Sequence, residues 1–249
     1  WRSAYEGRVA TTSADAAKGA EIVFCCVGDD PDIREVADAA FPAMGRGAIF
    51  VDHTTGSAAL AQNLAHEAAA RGLAFIDAPV SGGEAGAQKG QLTVMCGGDE
   101  AAYAKAEPVI RAYAKMVKRL GSAGAGQKTK MVNQICIAGL VQALSEGVHF
   151  AEQAGLNPAD VIEVISKGAA QSWQMENRWQ TMTAGRFDFG FAVDWMRKDL
   201  GLVLEEAQRN GAKLDLTKLI DGYYADVQAM GGRRWDTSSL IARLEPPPK

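Results

Sequence analysis

Four segments of this 249-residue sequence combine side chains and backbone features that can do chemistry. The densest runs Gly121-Ser122-Ala123-Gly124-Ala125-Gly126-Gln127-Lys128-Thr129-Lys130-Met131-Val132-Asn133-Gln134. It is not a G-x-G-x-x-G dinucleotide loop, because Thr129 holds the third glycine position, and it is not a P-loop, because no glycine directly precedes Lys128. What remains is a glycine-rich entry into a helix. Lys130 lies three residues from Asn133 and four from Gln134, so the three polar groups share one helical face. Met131, Ile135 and Ala138 would bury a seam beside it, and buried lysine and asparagine need partners. Burial and the helix N-terminus both disfavour a positive charge at Lys130, which suits an amine for general acid/base work near neutral pH. The plainer reading is a solvated lysine with an asparagine nearby.

The second segment is Asp77-Ala78-Pro79-Val80-Ser81-Gly82-Gly83, continuing to Ala87. It leaves an apolar run, and in open α/β sheets ligands sit beyond the carboxyl ends of strands. Ser81 supplies a hydroxyl, and Gly82 and Gly83 supply backbone N–H groups that can approach an anion closely. A plain glycine-rich turn is the alternative. The third segment, Phe187 to Leu200, places Lys198-Asp199 in an otherwise apolar helix, where an exposed ion pair is the simplest account. The fourth is Asp52-His53-Thr54-Thr55-Gly56-Ser57, leaving a strand and opening a helix. Its hydroxyl residues suit N-capping, and His53 reads as structural more readily than as an acid/base.

The elements that would position these groups fall in two blocks. In residues 1–122, short apolar runs at Ile22–Val27, Ala48–Val51, Ala74–Ile76 and Leu92–Cys96 alternate with helical patterns near 31–44, 57–71 and 99–114. That alternation predicts βαβ units and a mostly parallel sheet. From residue 123 strand-like runs stop. A helix is expected from Gly124 to Ala154, on the order of 45 Å at about 1.5 Å per residue, with Gly155 as its C′ residue. Asn157-Pro158 opens a second helix, and further helices are expected near 172–183, 192–210 and 214–230. The fold class is therefore α/β followed by all-α, with residues 1–122 and 123–249 as the two domains. Pro246-Pro247-Pro248 ends the chain outside any helix.

Bulk properties narrow the function classes. Apolar residues make up 47% and charged residues 22%, as in globular proteins. A net charge of −4 gives no basic field for nucleic acid. Cys25, Cys26, Cys96 and Cys136 show no metal-ligand spacing and suit a reducing, cytoplasmic setting. Trp1-Arg2-Ser3 does not begin a signal peptide. Met131–Phe150, interrupted by Asn133, Gln134, Gln142, Ser145 and Glu146, reads as a buried helix and not as a membrane span.

Taken in order, the segments resemble the β-hydroxyacid dehydrogenase family. Asp77-Ala78-Pro79-Val80-Ser81-Gly82-Gly83 is similar to its substrate-binding signature. Gly121, Gly124, Gly126, Lys130, Asn133 and Gln134 resemble its G-x-x-G-x-G-x-x-x-K-x-x-N-Q motif. Lys198-Asp199-Leu200 resembles its K-D-L segment near the nicotinamide, and Asp52-His53-Thr54-Thr55 its D-x-S-T cofactor loop. Val27-Gly28-Asp29 stands where the family has a Leu-Pro pair, and Asp236 with Ser238 resembles the closing D-x-S motif.

The resemblance implies a Rossmann-type domain followed by a helical domain, with the active site in the cleft between them. It implies NAD or NADP as cofactor and a small carboxylate substrate, a β-hydroxyacid or its semialdehyde. Lys130 would exchange a proton with the substrate oxygen. Asn133 and Gln134 would position substrate or lysine, and Ser81, Gly82 and Gly83 would hold the carboxylate. Val27, Gly28, Thr54, Thr55 and Lys198 would line the cofactor site, and no metal is expected. Gly28 in place of proline leaves its loop freer. The family's opening G-x-G-x-x-G unit does not appear, so about 30 residues of an ordinary βαβ unit are expected to precede this sequence. Imine reductases share the implied fold but usually replace the lysine. A non-catalytic oligomerisation or interaction module is the other alternative, against which Lys130, Asn133 and Ser81-Gly82-Gly83 weigh. Apolar surface on the long helix suggests a homodimer or homotetramer. Gln171-Ser172-Trp173 are candidates for the pocket wall.

Overall fold

A computed structural model describes residues 6–244; Trp1-Arg2-Ser3 and Pro246-Pro247-Pro248 lie outside the described residues. The chain forms two compact units, Trp1–Lys130 and Met131–Lys249.

The first unit alternates strands and helices in the order α1 (Ser13–Ala17), β1 (Ile22–Cys25), α2 (Asp30–Ala40), β2 (Ile49–Asp52), α3 (Ala58–Ala70), β3 (Ala74–Asp77), β4 (Val80–Ser81), α4 (Gly83–Gln88), β5 (Leu92–Gly98), α5 (Glu100–Ile110) and β6 (Ala114–Arg119). Strands β1, β2 and β3 are parallel, and Cys25, Asp52 and Asp77 pair across them at one level. All three exits therefore open on the same edge of the sheet. Beyond β3 the pattern changes. Strand β5 runs antiparallel to β3 and β4, while β6 is parallel to β5. The sheet is thus parallel in its first half and mixed in its second.

Apolar side chains fill both faces. Phe50 and Phe75 pack with Ile33 and Ala37 of α2 and Ala61 and Leu64 of α3. On the opposite face Val51, Ile76 and Val94 pack with Ala102, Ala106 and Ile110 of α5. Strands covered on both sides read as unbroken apolar runs, which is why β2 and β3 are visible in the sequence; β1 is an equally apolar run that is only half-buried, with Phe24 exposed. Strand β6 is not. Its burial alternates irregularly through Lys115, Lys118 and Arg119, as suits an edge strand, and the helix expected to reach residue 114 stops at Ile110. The helix expected over 31–44 ends at Ala40 and passes into a 3-10 turn, Phe41–Ala43, at Pro42.

Helix α6 (Ala125–Gln153) begins in the first unit and runs on as the first helix of the second. It is followed by α7 (Pro158–Ile165), α8 (Trp173–Thr183), α9 (Val193–Asn210), α10 (Asp215–Ala229) and a 3-10 helix, Thr237–Arg243. By length and composition α6 could cross a bilayer. Here Ala138 and Val141 join Val193, Met196, Leu200, Ile220 and Tyr224 in one core. Leu144 and Val148 join Ile162, Met175 and Met182 in another. Asp236 clips the end of the unit, accepting from the Phe191 N–H and from the N–H and hydroxyl of Ser238, with Arg178 3.3 Å away. The architecture is a Rossmann-type sheet domain followed by a helical domain.

The entry to α6 needs glycine for reasons of space. A Cβ at Gly126 would meet the Met95 carbonyl oxygen and lie 2.6 Å from the Asp77 carbonyl oxygen. Both are backbone atoms, so neither can yield cheaply. Gly126→Ala should lower stability by about 2 kcal/mol or more, as for strained overpacking, read as a shift in the urea midpoint.

Candidate active site

The three strand exits and the start of α6 are joined by buried hydrogen bonds. The Asp77 carboxylate, fully buried, accepts from the Gly124 N–H through one oxygen and from the Gln127 N–H through the other, both at 2.8 Å. A carboxylate facing the first N–H groups of a helix is favoured by the helix dipole and satisfies donors that have no partner within the helix. Burial nevertheless pushes the Asp77 carboxyl up to about 6, with these N–H groups pulling the other way. Gln127, 1% exposed, donates its amide to the Thr54 carbonyl at 2.7 Å and accepts from the Gly56 N–H at 3.1 Å. The Thr54 hydroxyl in turn accepts from the Val27 N–H at 2.9 Å, and the Thr54 N–H donates to Asp52 at 3.0 Å. Asp52, Thr54, Asp77 and Gln127 therefore lock the exits of β1, β2 and β3 to the first turn of α6.

Lys130 follows one turn after Gln127 and is 7% exposed. Its burial agrees with the expected seam and not with a solvated lysine. Ser81 closes β4, paired with Thr93, and Gly82 and Gly83 follow with φ of 131° and 60°. These are left-handed conformations that glycine alone adopts without strain. A Cβ on Gly82 would press on Leu92 Cδ2 at 3.2 Å. Val27 is 37% exposed at the β1 exit. Gly28 directs its N–H to Asp32. Thr54 is 2% exposed and is engaged by Val27, whereas Thr55 is part-exposed.

In the second unit the remaining candidates form one chain of contacts. Asn133 donates to Gln134 at 2.8 Å, and Gln134 donates to Asp199 at 2.6 Å. Lys198 Nζ lies 3.0 Å from the other oxygen of Asp199 and 5.8 Å from the Trp195 ring centre. Asp199 is 2% exposed, so Lys198-Asp199 is not the surface ion pair that its sequence suggested. Asp77, Gln127 and Asp199 are the residues whose part in this framework the sequence did not assign. The spacing of Gln127 three residues before Lys130, on the same helical side, was the one available signal.

The carboxyl ends of the parallel strands carry an exposed Val27 beside Gly28, which has no Cβ, and the part-exposed Thr55. Residues 2–121 match the NAD binding domain of 6-phosphogluconate dehydrogenase, and residues 124–244 match the NAD-binding domain of NADP-dependent 3-hydroxyisobutyrate dehydrogenase. These matches define an NAD(P)-dependent oxidoreductase. An uncharacterized oxidoreductase of Shewanella frigidimarina is 59% identical over 98% of this chain and 85% of its own length. The 2-hydroxy-3-oxopropionate reductase of Escherichia coli is 32% identical over 94% of this chain and 81% of its own. A solved structure of Mycobacterium tuberculosis 3-hydroxyisobutyrate dehydrogenase with L-serine superposes with a TM-score of 0.85, at 28% identity, over 95% of this chain and 83% of the other. The chain belongs to the β-hydroxyacid dehydrogenase family.

The framework carries a pH signature. Burial pushes the Asp52 carboxyl up to about 7, from 3.8, against the Thr54 hydrogen bonds that pull it down. A carboxyl raised in the fold stabilises the folded state when protonated. Its contribution is full below about pH 4 and is lost as pH rises through about 7. Asp52→Asn keeps an acceptor for Thr54 and removes the titration. The urea midpoint of the variant should fall less between pH 5 and pH 8 than that of the parent.

Proposed function

We propose that the protein transfers a hydride between NAD(P) and a small β-hydroxyacid or its semialdehyde, with Lys130 as general acid/base. The observation that carries this reading is the burial of Lys130 one turn beyond a helix start fixed by Asp77 and Gln127. General acid/base work needs an amine held on a fixed element where a reacting oxygen can reach it. In oxidation Lys130 Nζ takes the hydroxyl proton of the substrate; in reduction it returns that proton to the carbonyl oxygen. The nicotinamide, when bound, supplies or accepts the hydride.

Ser81 and the N–H groups of Gly82 and Gly83 hold the substrate carboxylate, the two glycines letting the backbone approach it. Asn133 and Gln134 orient the reacting end, and the Gln134–Asp199 bond keeps that amide from turning. Val27, Gly28, Thr55 and Lys198 line the cofactor, and Thr54 shapes its wall from beneath through Val27. Trp173, 55% exposed, is available to the pocket wall. Cys25, Cys26, Cys96 and Cys136 form no disulfide, which suits a reducing compartment, the cytoplasm.

A substrate panel of 3-hydroxyisobutyrate, glycerate, tartronate semialdehyde and 4-hydroxybutyrate, each with NAD and NADP in the matching redox state, tests the reading on the full protein. Lys130→Ala should lower kcat by about a thousandfold or more without changing the unfolding midpoint greatly. A near-parental rate would remove Lys130 from the chemistry. Ser81→Ala should raise KM for the carboxylate substrate and leave kcat within about threefold.

A homodimer or homotetramer is part of the same proposal. Val132, Cys136, Leu140, Ala143, Gly147 and Phe150 follow one another along α6 at intervals of three and four, and all are exposed. Such a seam has the spacing by which one helix packs on another. Light scattering of the full protein should give at least twice the mass of one chain.

A further inference from the structure

His53 has no part in the roles above, yet both of its ring nitrogens are engaged. Its Nδ1 lies 2.6 Å from the Ala78 carbonyl oxygen and its Nε2 lies 2.8 Å from the Tyr113 hydroxyl. A carbonyl only accepts, so Nδ1 carries the proton. Nε2 then accepts from the Tyr113 hydroxyl. The ring is stacked on Phe24, with centroids 5.6 Å apart and planes inclined by 12°. The Tyr113 ring meets it edge-on at 5.6 Å and 89°. Burial lowers the affinity of the ring for a second proton, in keeping with a neutral imidazole that has one donor and one acceptor.

These bonds matter because of what Ala78 begins. Its N–H donates to the Asp52 carbonyl at 2.7 Å, the last rung between β2 and β3. Its carbonyl accepts from His53, so consecutive residues 52 and 53 hold both backbone groups of Ala78. The chain beyond it is stiff as far as Ser81. Pro79 has a fixed φ, the Pro79 carbonyl accepts from the Met95 N–H at 3.1 Å, and Val80 and Ser81 pair with β5. At Gly82 and Gly83 the chain then turns with positive φ into α4.

We propose that His53 is a positioning residue for substrate binding: it anchors the base of the 78–81 arm and thereby sets where the Ser81 hydroxyl and the Gly82 and Gly83 N–H groups present themselves to a carboxylate. The inference rests on the reading of Ser81, Gly82 and Gly83 as the carboxylate-holding loop. It predicts a defect in substrate affinity and not in hydride or proton transfer, since His53 touches neither reacting atom.

Two substitutions divide the imidazole. His53→Asn keeps a donor at the δ position, within reach of the Ala78 carbonyl. His53→Gln moves the amide one methylene outward, towards Tyr113, and gives up Ala78. With the hydroxyacid turned over fastest in the panel above, His53→Gln should raise KM about tenfold, with kcat and the cofactor KM moving less than about twofold. His53→Asn should stay within about twofold of the parent in all three. Ser81→Ala should raise KM in the parent and add little in the His53→Gln background, because both substitutions act on one contact. In the unaltered protein, 15N NMR of the imidazole should show a protonated Nδ1 and a bare Nε2, a readout that does not depend on any variant folding.

An unchanged KM in His53→Gln, a KM increase fully additive with Ser81→Ala, or a protonated Nε2 would each overturn the role of His53 while leaving the loop assignment standing. An unchanged KM in Ser81→Ala would instead overturn the loop assignment, and the role of His53 with it.

Discussion

The first unit depends on one carboxylate meeting the start of one helix. Asp77 ends β3, and the first N–H groups of α6 close on its two oxygens at 2.8 Å. The contact is tight because nothing stands between them: a Cβ on Gly97 would lie 2.6 Å from Asp77 Oδ1, and one on Gly126 2.8 Å from Oδ2. The glycines are therefore a condition of the charge–dipole contact, not a flexible joint. Everything at the strand exits is then referred to that helix start. Gln127 carries it to Thr54 and Gly56, Thr54 carries it to Val27, and one turn of α6 carries it to Lys130. Lys130 is thereby carried on a helix start that is fixed to the sheet.

The second unit solves a similar problem with side chains. Asp199 is buried on α9 and takes a hydrogen bond from Gln134 on α6 while its sequence neighbour Lys198 lies against it. A buried carboxylate is costly unless paired and hydrogen-bonded, and here one amide and one ammonium meet that cost. The amide of Gln134 is thereby oriented, its carbonyl oxygen being taken by Asn133. Four residues, Asn133, Gln134, Lys198 and Asp199, that in sequence look like polar interruptions of two apolar helices form one network.

What could be read from the sequence follows the range of the forces involved. Strands β1, β2 and β3 and helix α6 declare themselves because apolar runs and 3.6-residue periods are local. Lys130, Asn133 and Gln134 were legible for the same reason, since their spacing on one helix puts them on one face. Ser81-Gly82-Gly83 was legible as glycines after a strand, and both glycines do adopt positive φ. In the mixed half of the sheet the run that forms β5 was legible, but β4, β6 and the antiparallel pairing were not. Strand β4 is two residues long, and β6 carries Lys115, Lys118 and Arg119 on an edge, so neither shows an apolar run. The parts played by Asp77, Gln127 and Asp199 were hidden because their partners lie 47 to 73 residues away. His53 reads from sequence as an isolated histidine, because Ala78 and Tyr113 come 25 and 60 residues later.

Helix α4 contrasts with this framework. None of its six residues is buried; Gly82 precedes it, Gly83 opens it and Gly90 follows it, all with positive φ. A helix that contributes nothing to a core opens at small cost compared with the rest of its domain. Lys89 sits at its end, exposed, in a stretch that a protease can draw out into an extended strand. Brief trypsin treatment of the native protein should therefore cut first after Lys89, and the two fragments should stay associated because β3 and β4 in one pair with β5 in the other.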